Sequence, residues 1–334
     1  MAILSGMAAV ELKATAPAPF PAAASVVPAA VAQTRDIFEQ RAAKLGCVEA
    51  CTTVAHRVDD WGKSHVRRDY PYAPKAKRLV GTSFFARVKV ATERKTGARV
   101  VVKVITLNNV DEWKSAANEI FAYRRLDSKE ASLHILPLRR AVAGISKAGD
   151  CKLYLVFDRA LKDLDAHLTD VKQRREMFAW QLAHQLVPAL EYCHNRGIVH
   201  CDVKPQNILV IPLDDGNRYR LSDFGSAAEY KGEPLDMEPF VTFGYAAPEC
   251  LRGMPYGPPC DVFGLAGVLF TVLTQQKPRV PPFAQQASMN YQRPQPDWSQ
   301  DLTAFMGRCL ADAGERATWA ELRELSWYKN APKG

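Results

Sequence analysis

The spacing of apolar positions changes character along the chain, and each change marks an element. Residues 1–34 are dominated by Ala, Pro and Val, with one Glu, one Lys and no period, which predicts a disordered tail. From Asp36 the apolar positions Ile37, Phe38, Ala42, Leu45, Val48, Cys51, Val54, Val58 and Trp61 recur at helical spacing over about seven turns. Asp36 with Glu39 reads as a capping pair at the start, and Gly62 followed by Pro71 and Pro74 as the end. Residues 35–70 thus read as a helical extension with one apolar stripe to cover. Either the neighbouring domain covers it, or the stripe is a regulatory or partner-docking face.

From Arg78 the pattern switches to strands, through Leu79–Val90, a Thr96-Gly97 turn and the β-branched run Arg99–Val104. A helix follows from near Asp111, with Trp113, Ala116, Ala117, Ile120 and Tyr123 on its apolar face. Leu133–Val142 and Cys151–Phe157 read as two further strands, and the chain then turns helical, with a long segment from Arg174 to Asn195 ending at Gly197. Ile208–Ile211 and Arg218–Leu221 flank Asp214-Asp215-Gly216-Asn217, a hairpin signal. Val262–Leu273 is apolar all round, so a helix there must be buried on every side.

Composition bounds this picture without redirecting it. The 334 residues, 47% of them hydrophobic, suffice for two lobes and an extension. The Val262–Leu273 run falls short of the ~20 apolar residues of a membrane-spanning helix, so no transmembrane segment is expected. The formal charge of +8 is densest over Lys63–Arg78. That stretch lacks the aromatic interleaving of a nucleic-acid surface and reads as a solvated basic face, with no strong nucleic-acid or membrane signal. Eight scattered cysteines favour free thiols in a reducing compartment. Cys47, Cys51, His56 and His65 fit no usual zinc spacing. The expected location is cytoplasmic or nuclear, and the acid-poor start leaves an N-terminal targeting peptide open.

The chemistry concentrates in residues 197–225. Asp202, Lys204 and Asn207 crowd one short loop, and the hairpin folds Asp223, followed by Phe224 and Gly225, back beside them. Carboxylates and an amide oxygen suit hard Mg2+ ions, and a further carboxylate can accept a hydroxyl proton, which is the equipment of phosphoryl transfer.

His200-Cys201-Asp202-Val203-Lys204-Pro205-Gln206-Asn207 resembles the catalytic loop of the eukaryotic protein-kinase superfamily, and Asp223-Phe224-Gly225 its metal-binding triplet. The resemblance extends over about residues 75–328. It implies an α+β, two-lobed fold: a small lobe over 75–158 with a five-stranded antiparallel sheet and one main helix, a mainly helical large lobe over 159–328, and a short tail over 329–334. It further implies ATP between the lobes, Mg2+ on Asn207 and Asp223, and Asp202 orienting a substrate hydroxyl and accepting its proton. Lys204 would stabilise charge on the γ-phosphoryl group, and Lys103 would sit over the α- and β-phosphates, held by Glu119.

The same resemblance points to Gly81, Ser83, Ala86, Val88, Val101 and Leu209 around the nucleotide, Phe157 behind the adenine, Asp158–Ala160 as the hinge and Asp163 at the ribose. It gives structural roles to His200, Phe224, Thr242, Asp261 under the catalytic loop, and Glu249 of Ala247-Pro248-Glu249 paired with Arg316. Lys204 with Thr242 is the serine/threonine pattern of the family, so the implied partner is a protein substrate bearing Ser or Thr.

The departures are specific. Of the glycines in the phosphate-covering loop only Gly81 remains, with Ser83 and Ala86 at the other positions. Val101 stands in place of the usual Ala, Phe263-Gly264 in place of Trp-Ser, and Gln206 where kinases favouring basic residues before the target often carry Glu. Cys201 replaces the Arg that in many members grips an activation-segment phosphate. Within Ser226–Glu249 the acceptors are Ser226, Tyr230, Thr242 and Tyr245, of which Thr242 and Tyr245 have structural duties. The expectation is an enzyme that does not need activation-segment phosphorylation. The alternative is a pseudokinase scaffold, favoured by the degraded glycine loop and opposed by the intact Lys103, Glu119, Asp202, Asn207 and Asp223. A small-molecule kinase is a third reading, opposed by the Ala247-Pro248-Glu249 and Arg316 features.

Overall fold

A computed structural model of the chain describes residues 29–73, 79–82, 86–169, 175–214, 216–236, 242–278 and 298–332. Ser83 lies outside them. The extension is not one long helix. Helix α1 (Ala29–Lys44) begins among residues that composition assigned to the tail, so Asp36 lies inside it and caps nothing; Glu39 instead pairs with Arg35 one turn back, at 2.9 Å. Gly46 stops α1 because it adopts φ +70, where an L side chain would be strained, and the Cys47 and Gly46 amides then bond back to the Ala42 and Ala43 carbonyls. Helix α2 (Val48–Ala55) follows, and Trp61 belongs to a short strand, β1 (Asp60–Trp61), before helix α3 (Lys63–Asp69).

The small lobe continues with β2 (Leu79–Thr82), β3 (Ala86–Thr92), β4 (Arg99–Thr106), helix α4 (Val110–Leu126), a helical turn α5 (Ala131–His134), β5 (Leu138–Ile145) and β6 (Cys151–Asp158). Residues 133 and 134, read as the start of a strand, are thus helical. The sheet order is β1-β5-β6-β4-β3-β2. The last five are the antiparallel strands expected, and β1 joins the open β5 edge in parallel, a sixth strand that periodicity over 36–61 concealed. Alternation along β4 sorts its side chains. Val100, Val102 and Val104 face a cluster roofed by Val66 and Tyr70, while Val101 and Lys103 face the opposite way, toward the large lobe.

The large lobe comprises β7 (Lys162–Asp163), α6 (Leu164–Leu168), α7 (Arg175–His194), β8 (Ile198–Val199), the hairpin β9 (Ile208–Leu213) and β10 (Gly216–Leu221), β11 (Ala228–Glu229), α8 (Pro248–Leu251), α9 (Pro259–Thr274), α10 (Gln300–Leu310), α11 (Trp319–Glu324) and α12 (Ser326–Lys329). Every residue of α9 from Cys260 to Leu273 is buried, as its unbroken apolar pattern requires. No helix among the described residues is long and apolar enough to cross a membrane, and all eight cysteines are free and buried.

Glu249 and Arg316 meet in the interior of this lobe. Arg316 Nη1 and Nη2 donate to Glu249 Oε1 and Oε2 at 2.6 and 3.1 Å, and Nη1 also donates to the Pro259 carbonyl at 2.9 Å. Removing one partner leaves the other charge buried and alone, so Arg316→Ala is expected to lower unfolding free energy by about 3–5 kcal/mol. In urea melts the Glu249→Leu/Arg316→Met double variant should lose less than the sum of its single variants.

Candidate functional site

Between the lobes lies a cavity of about 860 Å³, roofed by Val88 and Val101, floored by Leu209 and backed by Phe157. Its rim is the segment Asp158–Asp163. Asp158 is half exposed and faces Arg139 at 3.4 Å, and Ala160 lines the cavity beside it. Asp163 lines it too, and its Oδ1 accepts the Ala166 amide at 2.8 Å and so caps α6. Gly81 pairs with Val88 across β2 and β3, and Ala86, buried at the start of β3, does not line the cavity.

A charge cluster closes the inner end. Lys103 Nζ donates to Glu119 Oε1 at 2.7 Å and to Asp223 Oδ1 at 2.8 Å. Burial works against the Lys103 ammonium, yet the two carboxylates hold its pKa above the ordinary lysine value. Asp223, only partly buried, is pushed up by desolvation but held below the usual carboxylate range by Lys103. Burial pushes Glu119 up to about 7, with Lys103 pulling against it and Asp223 adding to the rise. One ammonium thus answers two carboxylates, a surplus of negative charge at the cavity's end.

The catalytic-loop segment forms a closed hydrogen-bond ring. Lys204 Nζ donates to Asp202 Oδ2 at 2.6 Å and to Thr242 Oγ1 at 2.7 Å, and Thr242 Oγ1 in turn donates to Asp202 Oδ1 at 2.7 Å. Asn207 Nδ2 donates to the Asp202 carbonyl and to Oδ2, at 2.8 and 3.0 Å, which commits the amide nitrogen and leaves the amide oxygen outside these bonds. The loop hangs from Asp261. Its Oδ2 accepts the His200 amide and His194 Nε2, each at 2.8 Å, and its Oδ1 accepts the Cys201 amide at 2.9 Å. Trp319 Nε1 donates to His194 Nδ1 at 2.8 Å, so that imidazole is the neutral tautomer with its proton on Nε2. Burial would raise the Asp261 pKa, but these donors hold it below the ordinary value. Two residues of the site have left-handed backbones without being glycine, Cys201 at φ 64 and Asp223 at φ 62. Such conformations cost of order 1–3 kcal/mol each and persist where neighbours over-determine them.

Several site contacts carry no motif signal. Tyr123 of α4 packs on both Phe157 and Phe224, at ring-centroid distances of 5.0 and 5.1 Å, and Phe224 packs on His200 at 4.8 Å. Ser115, one helical turn before Glu119, lies against Gly225, where an added Cβ would sit 2.5 Å from its Oγ. Gly264, a departure noted in the sequence, admits Val203 of the catalytic loop to within 2.9 Å of where a Cβ would be. In sequence, the Tyr123 contact shows as the helical spacing that puts it on the inner face of α4 and Gly264 as a departure from the family pattern, whereas the Ser115 contact leaves no trace.

A family model described as the protein kinase domain matches residues 75–328. The chain belongs to the eukaryotic serine/threonine protein kinase superfamily. Among its relatives, mouse (Mus musculus) serine/threonine-protein kinase SIK1 is 32% identical over 263 residues, 76% of this chain and 32% of that protein. CBL-interacting protein kinase 4 of Oryza sativa subsp. japonica is 36% identical over 212 residues, 60% of this chain and 44% of its own. The matched part of this kinase therefore spans roughly a third to under half of those relatives' length.

The family uses ATP and a divalent metal, and the site suits both. The cavity lies within the ~300–1,000 Å³ of ligand pockets, and the surplus carboxylate charge, with the Asn207 amide oxygen, is a hard-ligand set for a cation. The close seat of Gly225 is testable by volume. Gly225→Ala is expected to destabilise by about 1–3 kcal/mol through overpacking against Ser115. Urea melts should show most of that loss recovered when Ser115→Ala removes the hydroxyl; a Gly225→Ala variant as stable as the parent would contradict the close packing.

Proposed function

We propose that this kinase is catalytically active, transferring the γ-phosphoryl group of ATP to Ser and Thr hydroxyls of protein substrates, and that it needs no phosphate on its activation segment to do so. The observation that carries the reading is the ring of Asp202, Lys204, Thr242 and Asn207 beside the Lys103–Glu119–Asp223 cluster. Asp202 orients the incoming hydroxyl and takes its proton on a carboxylate that Thr242 and Asn207 hold in place. Lys204, already within reach of Asp202, stabilises charge developing on the transferred group. Lys103 anchors the nonreacting phosphates. Magnesium, when held by Asp223 and Asn207, would neutralise the phosphate charge that these side chains cannot.

Independence from segment phosphorylation rests on chemistry at Cys201. A thiol offers no cation to a phosphate, and Cys201 is buried, its amide tied to Asp261. Thr242 is engaged with both Asp202 and Lys204, and the Tyr245 hydroxyl lies 3.1 Å from Thr271 Oγ1. Tyr230 donates to the Gly232 carbonyl at 3.2 Å. The glycine-poor phosphate loop favours the competing reading of a scaffold that turns over little.

A Mg·ATP phosphotransfer assay on a generic Ser/Thr protein separates the readings. The expected result is turnover that falls by about 10²–10⁴ in Asp202→Asn, with ATP binding retained, and that survives phosphatase treatment of the kinase. Turnover absent in both proteins, with ATP still bound, would establish the scaffold. Loss of nearly all activity on dephosphorylation would refute the phosphate-independent part alone.

A further inference from the structure

The extension before the kinase domain lies outside the residues that the family model matches, and its contacts converge on α4. Phe38 of α1 is fully buried and packs edge-on against Trp113 of α4 and Trp61 of β1, with centroids 5.7 and 5.2 Å apart. Toward the other end of α4, Arg124 Nη2 donates to Asp59 Oδ1 at 2.6 Å and its Nε to the Arg57 carbonyl at 3.1 Å, while the Arg57 guanidinium lies 4.9 Å over the Phe121 ring. Glu119 lies between these two anchor points in sequence.

The extension is itself fixed to the sheet. Asp59 accepts the Ala141 amide at 2.6 Å through its second oxygen, β1 pairs with Val142 and Ala143, and Arg140 ties Asp60 to Asp69 at 3.0 and 2.9 Å. Val66 and Tyr70 then cover the outer face of that sheet. Residues 29–70 therefore join α4 to the sheet that carries Lys103, with α1 and α2 on the face that packs α4 and the Val66–Tyr70 end on the outer face.

We propose that this extension is an intramolecular positioning element, a clamp that keeps α4 where Glu119 meets Lys103 and where Ser115 and Tyr123 seat Gly225 and Phe224. It rests on the kinase reading above and supplies what Cys201 gives up: alignment set by a covalently attached segment in place of a phosphate. Phe38 and Arg124 are positioning residues that touch neither nucleotide nor protein substrate.

The test uses the full chain with Arg124→Ala, whose partly exposed pair with Asp59 can be broken without opening the core, and with Phe38→Leu. Phe38→Leu is expected to lower kcat about tenfold and Arg124→Ala about two- to fivefold, each with KM for the protein substrate unchanged. Each should also speed amide hydrogen exchange across residues 115–123, with the large lobe unaffected. If the clamp acts through Glu119, neither substitution lowers kcat further in a Glu119→Gln background. Wild-type kcat in both variants, or the same fold-loss repeated on top of Glu119→Gln, overturns the clamp while leaving the kinase reading intact. A wild-type chain with no turnover overturns the kinase reading first, and the clamp, defined by the turnover it supports, falls with it.

Discussion

Lys103 holds a positive charge where water barely reaches it, and much of the molecule is arranged around that fact. An isolated buried ammonium would lose several kcal/mol of solvation and shed its proton. It stays charged because Glu119 and Asp223 approach from different elements, one on α4 and the other at the end of the β9–β10 hairpin. The contact is therefore a condition on three elements at once. The β4 alternation must aim Lys103 at the cavity, α4 must lie close enough to deliver Glu119, and the hairpin must return Asp223 to the same point.

The catalytic loop answers a second constraint of the same kind. Its backbone turns through a left-handed Cys201, so successive amides point at one carboxylate, and Asp261 at the buried first turn of α9 takes two of them. The strain at Cys201 is offset by hydrogen bonds that a relaxed loop would forgo. The same turn carries Pro259, whose carbonyl receives Arg316, so the ion pair with Glu249 and the support of the catalytic loop share one piece of helix. Gly264, one turn on, lets Val203 of that loop approach α9 more closely than any side chain would allow.

What was legible in the sequence follows from this. Local periodicity identified β4, α4, α7, the hairpin and the wholly apolar α9, because in each the apolar residues outnumber the exceptions. Motif spacing brought Lys103 to Glu119 and Glu249 to Arg316, pairs whose partners are far apart in sequence but chemically conspicuous. The extension was misjudged where one residue overruled a pattern. Gly46 breaks a run that otherwise continues to Trp61, and an edge strand of two residues has too short a period to register. Residues 29–34 look like tail because Ala is compatible with either state, and their helix is continuous with the segment that buries Phe38 and Ala42. The Ser115–Gly225 contact was invisible for a different reason: Gly225 was legible as part of the Asp223-Phe224-Gly225 triplet, but its seat against Ser115 is a distance, and a small residue leaves no periodic trace.

The extension's contacts are unequal in weight, and the inequality says how it would work. Holding a two-state helix at 10:1 in one position needs roughly 1.4 kcal/mol of preference. The Arg124–Asp59 pair is partly exposed on both sides and contributes about 0–1 kcal/mol. Phe38, fully buried between two tryptophans, contributes about 1.5–3 kcal/mol by area alone, with its edge-on ring contacts adding to that. The apolar seat is thus sufficient to fix the helix, and the ion pair's value lies in direction. In the proposed clamp it ties the Arg124 end of α4 to Asp59 and the Arg57 carbonyl, a second anchor that Phe38 alone does not supply.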